Sequence, residues 1–275
     1  MIKTILSVSP ELDFADELFL LCPRWLHKDL KTTIRENIGS LDDPDIVDRL
    51  VDLLFSGEPY GWFWTCPEEQ LDREFFADAL RSRPVTLPNL FDAIITEHAR
   101  KNGKSGRGAK FPTHYSYTPT LLEWYPECKL IHTTRNPKAV YASQSAKYLT
   151  GDMSAARRAF LRFQQFVHIN IQTAWTAKIH RDLAGHPNYC LVRYEDVITD
   201  GERTIRDVCE FLEVPFQPEM LAPHQYGSSF SSIGGKSGID DSSLNRWKNS
   251  ISGVSKSVMD VLHSRSYKLL GYEHG

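Results

Sequence analysis

The 275-residue chain is 41% hydrophobic and 24% charged, an ordinary balance for a globular protein with a substantial core. A formal net charge of −3 gives no bulk attraction to nucleic acid or to an anionic membrane surface, so any anion has to be held by a local cluster. The five cysteines (Cys22, Cys66, Cys128, Cys190, Cys209) form no C-x-x-C pair, the ten histidines never fall at H-x-x-x-H or H-x-H spacing, and no 18-residue apolar run occurs. A disulfide scaffold, a metal site and a membrane span are thereby disfavoured, and the scattered thiols without a signal peptide point to a reducing, cytoplasmic setting.

Residues 1–10, "MIKTILSVSP", carry apolar residues at helical spacing with no N-cap before them, so the chain reads as starting inside an element. Residues 41–56 form an amphipathic helix with Pro44 in its first turn. The stretch "EPYGWFWTCPEEQLD" (58–72) is an aromatic, proline-bounded insertion whose Tyr60, Trp62 and Trp64 either wall an acceptor pocket or pack on the core. Two more helical stretches occupy 74–100. "KNGKSGRGAKFPTH" (101–114) is glycine-rich and basic but fails as a nucleotide loop. Its Gly-Lys-Ser at 103–105 needs a glycine at 98, where His98 stands, and a strand before it, where a helix is expected. It reads as a solvated basic loop followed by a short strand, "GAKFP", that presents Lys110.

Further on, 129–134 reads as a strand, 137–148 as a helix and 154–183 as a long helix. The latter carries Phe160, Phe163, Phe166, Val167, Ile171, Trp175 and Ile179 near helical spacing, a stripe expected in the core. "NYCLVRYEDV" (188–197) is a second strand, 203–216 a helix ended by Pro215, 226–243 a glycine- and serine-rich loop, and 254–270 a closing helix. Strands alternating with helices predict an α/β fold with a parallel sheet, in which ligands bind at the carboxyl ends of the strands. Arg135, Tyr194 and Lys110 fall at such ends.

"KLIHTTRNPKAVYASQS" (129–145) concentrates the chemistry. Asn136 can cap the helix and Pro137 can take its first position, where a missing N–H is harmless. Free N–H groups and the helix dipole attract an anion, and Arg135 adds a bidentate fork. Ser143 lies six residues past Pro137, about 9 Å along the axis, so Arg135 must lie along the helix to share one anion with it. On these grounds alone the stretch is either an anion site or an ordinary strand–helix corner.

The same stretch resembles the sulfotransferase pattern of a strand, Arg-(Asn/Asp)-Pro and a serine eight residues after the arginine. In that family the two residues hold the 3′-phosphate of the sulfuryl donor PAPS (3′-phosphoadenylyl sulfate). Three other segments agree in order: "KFPTH" (110–114) is similar to the family's lysine segment beside the reacting sulfuryl group. "VRYEDV" (192–197) resembles the strand whose tyrosine lies at the adenine. "SSIGGKSGIDDSSLNRWKNSIS" with "LLGYE" resembles the C-terminal donor-covering loop and closing helix. The resemblance implies a three-layer α/β fold, a parallel sheet flanked by helices and akin to P-loop nucleotide-binding folds, as a single domain over 1–275. It implies in-line, metal-independent sulfuryl transfer from PAPS to a hydroxyl or amine acceptor: a small molecule, a sugar or a tyrosine.

Residue by residue, the resemblance gives Arg135, Ser143 and Tyr194 to the donor, with Lys236, Arg246 and Lys248 either closing over its phosphates or merely solvated. Lys110 would offset transition-state charge. Glu17, in "FADEL", is placed like the catalytic glutamate of the protein-tyrosine type, or else caps the next helix. His114 competes for the role of base, although it falls one residue later than the cytosolic pattern. One departure stands out: no Ser-Gly-Thr type loop for the 5′-phosphosulfate occurs. Met1 aligns just past that loop, so the chain is expected to lack the family's first strand. The alternative is a non-catalytic remnant that binds an adenosine bisphosphate or a partner.

Overall fold

In the computed structural model the described residues are 1–15, 30–37, 39–40, 42–43, 45–56, 71–110, 114–149, 152–221 and 242–272. They divide into two units, Met1–Pro126 with Gln217–Met220, and Glu127–Phe216 with Leu221–Gly275.

The first unit runs α1 (Ile2–Leu6), β1 (Leu12–Ala15), α2 (Leu30–Asn37), α3 (Ile46–Phe55), α4 (Arg73–Arg81), α5 (Leu87–Lys101), β2 (Gly106–Ala109), a 3₁₀ turn (His114–Tyr117) and α6 (Thr118–Trp124). Polar caps set its helix starts. Asp72 accepts from the N–H groups of Glu74 and Phe75, and Thr86 accepts from Asn89 N–H ahead of a proline in the first turn. The apolar faces of α3, α4 and α5 meet in one core built on Leu50, Leu54, Phe76, Leu80, Leu90 and Ile94. That burial is the main force holding three short helices that would be marginal alone.

β1 and β2 pair in parallel, with Leu12 opposite Gly106 and Phe14 opposite Gly108. The strand expected over 108–112, after a loop at 101–107, begins instead at Gly106. Its glycines serve packing: a Cβ at Gly106 would stand 2.7 Å from Leu12 Cδ2, and one at Gly108 would stand 2.7 Å from Phe14 Cδ1. Glycine there lets the Leu12 and Phe14 side chains lie over the partner strand. Gly108→Val is therefore expected to destabilise the protein by about 1–3 kcal/mol through overpacking, read as a lower urea midpoint at unchanged slope. His98, the residue that broke the nucleotide-loop pattern, pairs with Asp13 of β1, and Asn102 donates to the same carboxylate at 3.1 Å. It ties α5 to β1.

The second unit runs β3 (Leu130–Thr134), α7 (Pro137–Tyr148), α8 (Ala155–Leu183), β4 (Tyr189–Arg193), α9 (Tyr194–Thr199), α10 (Gly201–Leu212), α11 (Ser242–Asn245), α12 (Trp247–Ser250), α13 (Gly253–Leu262) and α14 (Ser264–Leu270). β3 and β4 pair in parallel from Leu130–Tyr189 to Thr134–Arg193. Among the described residues the four strands thus form two parallel pairs, one in each unit.

Three sequence expectations change here. The second strand stops at Arg193, because Tyr194 to Thr199 turn into a helix with Glu195 and Asp196 favourably placed in its first turn. The closing helix is broken at His263 into α13 and α14. The aromatic stripe of α8 is only partly core: Ile179 is buried and Phe166 packs against a buried cluster, but Phe160 and Phe163 are 63% and 65% exposed, and Val167, Ile171 and Trp175 are exposed with them. The buried face carries Ile169, Thr173, Thr176, Ala177 and Ile179. Its threonines are invisible to a hydrophobic-period reading, and Thr173 satisfies its hydroxyl on Ile169 O at 2.7 Å. Among the described residues, no helix is long and apolar enough to cross a membrane.

Candidate phosphate-binding site

The site is built where β3 gives way to α7. Asn136 caps α7, its Oδ1 accepting from Lys138 N–H at 3.0 Å, with Pro137 in the first turn. Asn136 N–H in turn donates to Glu195 Oε1 at 2.9 Å, so the first turn of the helix after β4 holds the turn after β3. Arg135, between strand and cap, lays its guanidinium over the Tyr194 ring, 4.2 Å from the centroid. This stacking leaves the planar fork at the start of a capped helix of twelve residues, the arrangement that favours an anion.

The floor under this turn is locked by the C-terminal residues. Arg193 pairs with Asp196, donates to Gly271 O and lies 5.8 Å from the Tyr272 ring centroid. Gly271 has φ +71°, and a Cβ there would meet Arg193 Nη1 at 2.8 Å, so both backbone and space demand glycine. Tyr272 is buried against Glu195 and Thr134; burial first, then the Glu195 charge, pushes its phenol up, so it stays protonated.

The predicted residues distribute as follows. Lys110, Arg135 and Tyr194 each directly follow the last residue of β2, β3 and β4, at the expected carboxyl ends. Arg135 and Tyr194 are brought into contact, while Ser143 lies exposed in the second half of α7. Arg246 and Lys248 are exposed on either side of the buried Trp247. Lys110 and His114 belong to the first unit, where Lys110 N–H donates to Ala15 O at 3.3 Å and His114 opens the 3₁₀ turn. Glu17, Lys236 and the aromatic insertion with Tyr60, Trp62 and Trp64 lie outside the described residues.

Sequence reasoning missed Glu195 and Lys138. The first was hidden by assigning 194–197 to a strand. The second carried a legible signal: a lysine in the first turn of a helix opposes the helix dipole, so it needs a partner elsewhere. That partner is Asp260, 2.5 Å from Lys138 Nζ. Burial pushes the Cys128, Cys190 and Cys209 thiols up, which disfavours the nucleophilic thiolate at each.

The profile of the "Sulfotransferase family" matches residues 1–218. The chain belongs to the sulfotransferase family. Sulfotransferase 2A1 of Macaca fascicularis is 30% identical over 115 residues, a match that spans 39% of this chain and 39% of the macaque protein. Two solved structures share the fold. The sulfotransferase domain from the curacin biosynthetic pathway superposes with a TM-score of 0.55 at 19% identity, over 99% of this chain and 93% of that one. The sulfotransferase domain of the Synechococcus PCC 7002 olefin synthase gives 0.55 at 16% identity, over 98% and 89%. The α/β architecture with parallel strands expected from the sequence is therefore the sulfotransferase fold.

Proposed function

We propose that the chain transfers a sulfuryl group from PAPS to a hydroxyl-bearing acceptor and that Arg135 and Ser143 hold the donor's 3′-phosphate. The observation that carries this reading is the Arg135–Asn136–Pro137 turn. It combines a stacked guanidinium, a capped helix start and a carboxylate-anchored backbone in a chain of this family. Tyr194, which supports the Arg135 fork on one face of its ring, is the residue offered to the adenine. Arg246 and Lys248 supply further positive charge from the C-terminal segment.

In the proposed reaction the acceptor oxygen attacks sulfur in line, and the bond from sulfur to the phosphate oxygen breaks. The electron pair leaves with adenosine 3′,5′-bisphosphate, and the acceptor proton passes to a base. Glu17 is the first candidate for that base and His114 the second. Lys110, at the end of β2, is assigned to the charge that grows on the leaving oxygen. Residues 1–275 contain no Ser-Gly-Thr loop, so this chain's own contribution is clearest at the 3′-phosphate.

Calorimetric titration with adenosine 3′,5′-bisphosphate tests the donor site, and transfer of labelled sulfate from PAPS to a phenol, a sugar or a tyrosine peptide tests the reaction. Saturable binding of the bisphosphate with little binding of adenosine 5′-monophosphate is expected. No binding by demonstrably folded protein rejects the donor assignment, whereas binding without transfer to any acceptor leaves a donor-binding protein without the catalytic half.

A further inference from the structure

Lys138 is the second residue of α7 and its side chain is fully buried, 0% exposed. Its ammonium lies 2.5 Å from Asp260 Oδ1, 5.0 Å from the centroid of the Trp247 ring and 5.6 Å from that of Tyr267. These three partners come from α13, α12 and α14, so one cation gathers three C-terminal elements at the helix turn that carries Arg135. Burial of an ammonium carries a large desolvation penalty, and an apolar side chain would fill the same space without it. What an apolar residue would not supply is directionality, namely an ion pair to α13 and two ring faces held over one point.

We propose that Lys138 is a positioning residue for the donor site. Through Trp247 it fastens the segment Arg246–Ser250 to the first turn of α7, and so holds Arg246 and Lys248 at the same end of the helix as Arg135. The flanking geometry fits a fastening role. Trp247 is buried while its neighbours Arg246 and Lys248 are exposed, and Lys256 donates to Lys248 O and lies 6.0 Å from the Trp247 ring centroid on the same segment. Lys138 itself is shielded from solvent and touches no ligand in this scheme. Its effect on the donor runs through the position of its neighbours. The part of the inference that concerns donor affinity rests on the reading of the Arg135 turn as the 3′-phosphate site; the fastening of 246–250 does not.

Two variants separate the role from simple loss of stability. Lys138→Met combined with Asp260→Asn removes both charges together and leaves no unpaired ion in the core. Trp247→Leu keeps the ion pair and removes the ring. Hydrogen–deuterium exchange without ligand is expected to show protection of 246–250 falling tenfold or more in both variants, with β3 and β4 unchanged. Affinity for adenosine 3′,5′-bisphosphate is expected to fall about tenfold in both, with no further loss when they are combined. Unchanged exchange at 246–250, or equal loss of protection in β3 and β4, overturns the proposal, the second result marking Lys138 as a general core residue. Failure of the unsubstituted protein to bind the bisphosphate would reject the donor reading, while the exchange result still decides the fastening.

Discussion

Replacing Arg135 by methionine is expected to weaken binding of adenosine 3′,5′-bisphosphate about 100-fold and to leave binding of adenosine 5′-monophosphate nearly unchanged. A hydrogen bond between charged partners contributes about 1.5–3 kcal/mol, and the guanidinium fork offers two to one phosphate. Loss of both amounts to about 3 kcal/mol, or roughly two orders of magnitude in affinity. Methionine keeps much of the aliphatic volume beside Tyr194, so the loss isolates the charge and the fork. Arg135→Lys restores the charge but not the planar pair of donors, and should recover only part of the affinity. Tyr194→Ala removes the ring on which the guanidinium rests, 4.2 Å from its centroid, and should cost the bisphosphate several-fold through a less ordered Arg135. Equal losses for both nucleotides in Arg135→Met would show a disturbed turn and remove the arginine from the phosphate site.

The parts of this site that were legible in the sequence are those whose reasons are local. Asn136 and Pro137 obey capping and first-turn chemistry, and α7 spans the expected Pro137–Tyr148. β3 was legible for a similar reason, being a β-branched run closed by Arg-Asn-Pro. What escaped is long-range. Glu195 reaches Asn136 across 59 positions, and Lys138 reaches Asp260 across 122, and no periodicity encodes either distance. The α8 stripe failed in part and in an instructive way, because five of its large apolar side chains lie exposed while two threonines and an alanine share the buried face with Ile169 and Ile179. Spacing identified the helix correctly but not which of its faces is inward. The glycines of β2 hid the start of their strand: Gly106 and Gly108, which read as part of a glycine-rich loop and its exit, are glycines because Leu12 and Phe14 lie over them. The two parallel pairs β1–β2 and β3–β4 follow the expected grammar of strand and helix, but the division of the chain into two units has no signature in composition.

Acidification should destabilise this protein through His132, independently of any ligand. His132 sits on β3, its Nδ1 2.9 Å from the Tyr189 hydroxyl and its ring 6.0 Å from the Tyr189 ring, while the ring of His180 of α8 lies 5.9 Å from that same Tyr189 ring. Burial, reinforced by the charge of His180, pushes His132 from 6.5 down to about 4. The unfolded chain therefore takes up this proton between pH 6.5 and 4 while the folded chain refuses it, so stability falls as pH drops through that window and levels off below it. The contribution from His132 alone is about 3 kcal/mol, a large part of the ~5–15 kcal/mol typical of a domain. Burial lowers His180, His168 and His263 as well, so they act in the same direction. Urea unfolding of the chain and of His132→Gln, measured from pH 7.5 to 4, isolates the effect because the carboxylates common to both cancel in the difference. Glutamine retains a polar atom toward Tyr189 but takes up no proton, so its stability should decline about 3 kcal/mol less than that of the histidine protein across the window. Parallel curves would show that His132 protonates as readily in the folded protein as in the unfolded one, and would place the acid sensitivity elsewhere. The strand that carries this histidine ends one residue before Arg135, so the same acid step that loosens β3 should also loosen the Arg135–Pro137 turn.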